Sequence, residues 1–250
     1  MAKRKDFPSK RQAVREKRKQ QQRRQRLVIV LVVAGVALLV AAGLAYPSIR
    51  NALQPVGEII SITPQARPMV DGTALGDPNA PVRMDVYVDF QCPACRGYSD
   101  QIENQVVENY VTTGQVYYVF RHFPFLDDGV PSKESDQAAN ASMCASEQDR
   151  FWDYHDILFA NWDGENKGAF SDNRLIAYAE SLGLDMEAFN ACFQENRYQE
   201  EIEADLAAGR RTNVQGTPSV FVQGQLITPG FVPSLSEIST AVEAALQSNE

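Results

Sequence analysis

The sequence predicts an α/β domain interrupted by a helical insertion and carried behind one N-terminal transmembrane helix. Three observations lead there. Residues 27–46 form an uncharged run of Leu, Val, Ile, Ala and Gly ending in Tyr46. Residues 82–90 place Val82, Met84, Val86, Val88 and Phe90 at period two, the signature of a strand, and run straight into Cys92-Pro93, where a helix is expected to begin. Residues 132–209 are helical in pattern, and β character returns only at Ser219.

The charge is split. Residues 1–26 hold twelve Lys or Arg against Asp6 and Glu16, whereas the rest of the chain holds twelve basic against thirty acidic residues, for a net charge of −8. Twenty helical residues span roughly 30 Å, the thickness of a bilayer's hydrocarbon core, so residues 27–46 are predicted to cross a membrane. A cleaved signal peptide is the alternative, with Ala42-Gly43-Leu44-Ala45 offering small residues for cleavage. Signal cores are shorter, about 7–15 residues, and follow a shorter basic start, so a retained anchor is expected. Lys and Arg concentrate on the cytoplasmic side, which makes residues 1–26 a cytoplasmic leader and puts the acidic part outside the cytoplasm. A basic leader also suits nucleic acid or anionic lipid. Beside an apolar run it is read as topogenic, and no nucleic-acid partner is expected.

Residues 47–74 hold Pro47, Pro55, Pro64 and Pro68 and are read as a linker or stalk, with one short strand possible at residues 57–62. The folded domain is assigned to residues 75–248. After the first strand, a helix is predicted from Cys92 to about Thr113 with Tyr98, Ile102, Val106 and Tyr110 at helical spacing, ended by Gly114. Residues 115–121 form the next strand, parallel to the first through a right-handed crossover. The insertion, about residues 132–209, has helix starts suggested at Ser132, Asp149, Ser171 and Asp185 and glycine breaks at Gly164, Gly168, Gly183 and Gly209. Residues 219–222 and 225–228 flank Gln223-Gly224 as a hairpin, and residues 235–246 form a last amphipathic helix. Pro218 stands just before the returning strand, where a proline's missing N–H is tolerated and a cis bond is accessible.

Chemistry concentrates at Cys92-Pro93-Ala94-Cys95. Pro93 suits the first turn of a helix, which places Cys92 at a helix N-terminus, where partial positive charge and free N–H groups favour thiolate over thiol. Cys95 falls one turn deeper, near Cys92 but less exposed. One sulfur is placed to attack and the other to resolve. No Ser/His/Asp array, phosphate loop or paired-carboxylate motif accompanies them, and neither a cofactor nor a metal is expected. His122 and His155 are read as structural.

Four motifs recur together: residues 75–81 (Leu-Gly-Asp-Pro-Asn-Ala-Pro), residues 89–95 (Asp-Phe-Gln-Cys-Pro-Ala-Cys), Arg121-His122-Phe123-Pro124, and Val214-Gln215-Gly216-Thr217-Pro218. In this order, around a helical block of this length, they resemble the DsbA-like thiol-disulfide oxidoreductases, which carry a thioredoxin fold with a helical insertion. The resemblance implies Cys92 as nucleophile, Cys95 as resolving thiol, and Thr217-Pro218 as the cis-proline loop that lies against the site and holds substrate. It also implies re-oxidation by a quinone-linked membrane oxidase of the DsbB or vitamin K epoxide reductase type. Two positions depart from the pattern. Val86 stands where relatives of thioredoxin often place a buried acid, and strand alternation points Asp85 and Asp89 away from it, which leaves the proton route unassigned. Ala94 stands where the strongest oxidants carry histidine, so a milder oxidant is expected.

Cys144 and Cys192 admit three readings: a structural disulfide, two inert core thiols, or a zinc site using all four cysteines. An oxidising compartment favours the disulfide. The zinc site is least suited, because a second C-x-x-C is lacking. Some DsbA-like proteins carry such an extra bridge. The activity expected is donation of the Cys92–Cys95 disulfide to exported polypeptides. Its rivals are a tethered reductase or isomerase of the same fold, or a binding or chaperone module with purely structural cysteines.

Overall fold

The structure is a computed structural model that describes residues 10–52 and 55–248. Residues 1–9 of the predicted leader and residues 53–54 of the predicted stalk lie outside the described residues. The chain divides into two compact units, residues 1–49 and 50–250.

The first unit is built on one helix, α1, Lys10–Ala52. Within it Gln22–Tyr46, with mean hydropathy 3.1, is long and apolar enough to cross a membrane by length and composition. The helix continues past Pro47, where the sequence predicts its end. A proline removes one N–H from the ladder without obliging the helix to stop there.

The second unit carries a five-stranded sheet of order β1-β3-β2-β4-β5, from β1 (Ala74–Leu75), β2 (Val82–Val88), β3 (Val116–His122), β4 (Ser219–Val222) and β5 (Gln225–Ile227). The two central strands are parallel, in register from Val82↔Val116 to Val88↔His122, while β1, β4 and β5 pair antiparallel. This is the mixed α/β thioredoxin fold. Alternation on β2 divides the core: Val82, Met84, Val86 and Val88 join the main cluster, whereas Tyr87 packs on the opposite face with Phe123, Val214 and Phe221. The hairpin turn has Gln223 and Gly224 both at positive φ, 49° and 76°, the primed geometry that matches strand twist.

The insertion comprises α4 (Glu134–Ser146), α5 (Phe151–Ala160), α6 (Asp172–Ser181), α7 (Met186–Gln194) and α8 (Gln199–Arg211). Asp185 caps α7, accepting from the N–H groups of Glu187 and Ala188. Phe90, Phe120, Phe151, Trp152, His155 and Phe159 interleave edge-to-face and stacked, fastening α5 to the sheet.

Four more expectations change. Gly209 is not a break but lies inside α8. A Cβ there would sit 2.7 Å from the Phe123 ring, so the missing side chain buys close packing rather than a turn. Residues 57–62 form no strand; the edge strand beside β3 is β1. The segment before β1 is also fastened down: Ile60 exchanges hydrogen bonds with the Asn161 side chain, and Arg67 pairs with Asp156 while its guanidinium lies 4.7 Å from the centre of the Trp152 ring. Finally, the helix after Cys92 is not a uniform α-helix. α2 (Pro93–Tyr98) passes into a π-helical turn, Ser99–Glu103, then α3 (Asn104–Val106), then a second π-helical turn, Val107–Val111. The wider turns advance the inner face by one residue: Glu103, Val106, Val107 and Val111 are buried, whereas Ile102 and Tyr110 are half-buried.

Candidate functional site

Strand β2 delivers the chain to a short loop, Asp89-Phe90-Gln91, whose geometry is set from the insertion side. The Asp89 carboxylate accepts from the N–H groups of Gln91 and Leu126 and from the Ser135 hydroxyl. The buried Gln91 amide donates to Asp127 and Ser135 and accepts from the Asn166 N–H, while its carbonyl accepts from the Trp162 indole at 2.7 Å. Sequence reading quotes Gln91 only as part of the motif around Cys92, with no role, and passes over Trp162, since neither titrates nor sits at a periodic position. Burial pushes Asp89 up to about 7 and Asp127 to about 6, against the hydrogen bonds each accepts.

Cys92 is the N-cap of α2, with Pro93 in the first turn; its N–H donates to the Asp89 carbonyl. Cys92 is 7% exposed and Cys95 1% exposed, and both are free thiols. Pro93 is exposed and Ala94 half-buried beside them. The Cys92 thiol lies 3.2 Å from the Thr217 carbonyl oxygen, and the Thr217-Pro218 peptide bond is cis. A groove of about 550 Å³ opens here, lined by Ala94, Gly216, Thr217, Pro218, Leu226 and Phe231. Phe231 is 76% exposed at its rim.

The two sulfurs differ sharply. Cys92 is held down to about 6, foremost by the hydrogen bond from the Cys95 thiol, then, against burial, by Thr217 and by the N–H groups of Cys95 and Ala94. The helix end therefore contributes, but the neighbouring thiol contributes more. Cys95 is pushed well above the ordinary thiol range, by burial first and then by its bond and charge relation to Cys92. A stable anion beside a deeply protonated partner is the arrangement that thiol-disulfide exchange needs, because a thiolate attacks and a low-pKa thiol leaves.

Cys144 on α4 and Cys192 on α7 are bonded to each other, S–S 2.01 Å, across a separation of 48 positions. Val86 is wholly buried at its predicted place on β2. Asp85 is engaged by Arg83 and Arg121 on the other face. His122 is buried, and burial lowers it to about 3.

A thioredoxin fold with an inserted helical block, presenting two unlike thiols against a cis-proline loop, defines the thiol-disulfide oxidoreductases of DsbA type. The chain belongs to the family whose model is described as "Thioredoxin", which matches residues 69–244. It is 28% identical over 201 residues to the "Probable disulfide bond formation protein D" of Bacillus cereus, covering 78% of this chain and 88% of that one. It is also 35% identical over 173 residues to a Na(+)/H(+) antiporter, NhaA 3, of Salinispora tropica, covering 69% of this chain but 24% of the antiporter. Oxidised BdbD from Bacillus subtilis superposes with TM-score 0.63 at 24% identity, covering 76% of this chain and all of that one, a likeness of fold. The chain is a DsbA-like thiol-disulfide oxidoreductase.

Proposed function

We propose that this oxidoreductase is anchored by residues 27–46 with residues 1–26 in the cytoplasm, and that its domain, residues 75–248, donates a Cys92–Cys95 disulfide to exported polypeptides. The observation that carries the reading is the placement of Cys92 at the N-cap of α2, its sulfur 3.2 Å from the Thr217 carbonyl oxygen of the cis-proline loop and the buried Cys95 one turn on; that setting holds Cys92 down to about 6, and a sulfur that is stable as an anion makes its disulfide easy to break.

In the first exchange a substrate thiolate attacks the Cys92 sulfur; the Cys92–Cys95 bond breaks and Cys95 leaves with the electron pair, taking up a proton. In the second, another substrate thiolate attacks the substrate sulfur of the mixed disulfide, and Cys92 leaves as thiolate. The substrate is oxidised and the pair reduced. Thr217 and Pro218 hold the extended substrate beside Cys92 by main-chain contacts, as in strand addition, which gives broad selectivity. A quinone-linked membrane thiol oxidase of the DsbB or vitamin K epoxide reductase type restores the disulfide. Pro93 and Ala94 set the potential, and the lack of histidine at Ala94 makes the oxidant a moderate one.

The test is the reduction potential of the full chain in detergent, with its oxidation of a reduced dithiol peptide. A potential well above thioredoxin's, about −270 mV, with stoichiometric peptide oxidation, is expected. A potential at or below that value would assign a reductase instead, and an unreactive Cys92 would leave a binding module.

A further inference from the structure

The cis-proline loop and its groove occupy one flank of Cys92. The other flank carries two side chains that the exchange reaction does not use. Arg96 stands one helical turn after Cys92, its N–H donating to the Cys92 carbonyl at 3.2 Å. Ala94, two residues earlier and so about 200° around the helix, lines the groove, which puts Arg96 on the flank of α2 turned away from it. Trp162 comes from the loop after α5. Its indole N–H donates at 2.7 Å to the carbonyl of Gln91, the residue before Cys92, and the Arg96 guanidinium lies 5.5 Å from the centre of its ring. A planar cation is thereby stacked on an aromatic face within one turn of the reactive cysteine.

This guanidinium is held in place, yet its donors are unused. Among the described residues it donates no hydrogen bond, and its one ion pair, with Asp100, is long at 3.8 Å, with the two side chains 38% and 58% exposed. Such a pair is weak. Asp163 and Glu165, in the loop that carries Trp162, form no ion pair with it. Arg67, Arg121 and Arg197, by contrast, direct their guanidinium groups to carboxylates at 2.6–3.0 Å. A rigid fork of N–H donors, stacked on one face and open to solvent, is a seat for a planar anion. The planar anion that a polypeptide carries is a carboxylate. Arg96 lies about 6 Å along the helix from Cys92, and an extended chain advances about 3.3 Å per residue, so the seat meets a side chain one or two residues from the cysteine that has joined Cys92.

We propose that Arg96, stacked on Trp162, is a specificity-determining residue that pairs with a carboxylate next to the reacting cysteine of an extended client and so favours acidic segments. The proposal rests on the disulfide-donor reading above. Main-chain contacts at Thr217 and Pro218 accept many sequences; Arg96 grades them by charge. The acidic surplus of the chain beyond residue 26 repels anions at longer range, but that field is screened within about 8 Å at physiological salt. The contact with Arg96 is made inside that distance.

The experiment follows oxidation of three dithiol peptides by the oxidised full chain in detergent, the peptides differing only in whether the residues flanking the first cysteine are Glu, Gln or Lys. Each rate is divided by that of the Gln peptide, so that a change in the potential of the cysteine pair cancels. Arg96→Gln is expected to lower the Glu-over-Lys ratio about fivefold, the upper end for an exposed ion pair, and Arg96→Glu to lower it further. Arg96→Lys, which keeps the charge but loses the planar fork, should retain part of the ratio. The background field of the acidic domain is nearly the same in wild type and Arg96→Gln, so the change between them reports the contact itself. The neutral variant also decides the matter alone if the charge reversal does not fold. A Glu-over-Lys ratio that is the same in wild type and Arg96→Gln overturns the proposal. Failure of the wild-type chain to oxidise any of the three peptides would instead defeat the disulfide-donor reading.

Discussion

The Cys92 thiol points at the carbonyl oxygen of Thr217 across 3.2 Å. The residue that precedes the cis proline therefore touches the same sulfur that the Cys95 thiol and the helix N–H groups stabilise as an anion. Strand β4 begins immediately after Pro218 and pairs with β2, so the sheet that launches Cys92 also fixes the loop that covers it. Electrostatics and substrate access are set by one piece of scaffold.

Replacing Cys95 with alanine removes the largest of the groups that lower Cys92 and leaves the N–H groups and Thr217 in place. The Cys92 pKa is expected to rise by about one unit, a tenfold change in the thiolate equilibrium. Thiolate absorbance against pH in the variant checks it.

Asp89 makes stability pH-dependent in an uncommon direction. Its folded pKa, about 7, lies above the unfolded carboxylate value, so between roughly pH 4 and 7 the folded chain binds more protons and stability falls as pH rises. Asp127, at about 6, acts with the same sign. His122, lowered to about 3, acts oppositely below its unfolded value, because there the unfolded chain binds the proton. Asp89→Asn in the oxidised chain isolates the first effect: relative to wild type, the variant should gain on the order of a few kcal/mol between pH 5 and 8. Denaturant unfolding at the two pH values measures it.

Gly209→Ala should destabilise despite the roughly 1 kcal/mol that alanine gains over glycine in a helix. The new Cβ meets the Phe123 ring at 2.7 Å and Tyr87 at 3.1 Å, an overpacking worth about 1–3 kcal/mol. Combining it with Phe123→Leu should cost less than the sum of the two changes, a coupling that a thermal double-mutant cycle reads directly.

Removing the bridge between α4 and α7 with Cys144→Ala and Cys192→Ala opens a loop of 48 positions. A loss of about 4 kcal/mol is expected from the chain-entropy model, with exchange at Cys92 preserved. Urea unfolding and peptide oxidation assays separate the two effects.

Local periodicity carried the strands, the placement of Cys92-Pro93 at a strand-to-helix junction and the proline before β4, because these depend on nearest neighbours along the chain. It misplaced the inner face of the helix after Cys92, since the π-helical turns answer to packing on β3 and α5, elements distant in sequence. Gly209 reads as punctuation until the Phe123 ring is seen to need its space. Gln91 and Trp162 act through hydrogen bonds to loops more than thirty residues away, and Glu103 is buried against a tyrosine on β3. No window of sequence contains such partners.

The most direct test of the account is titration of Cys92 in the reduced full chain, followed by thiolate absorbance and by the pH dependence of alkylation. A midpoint near 6 is predicted. A midpoint at or above about 8.5, the value of an unperturbed thiol, would contradict it.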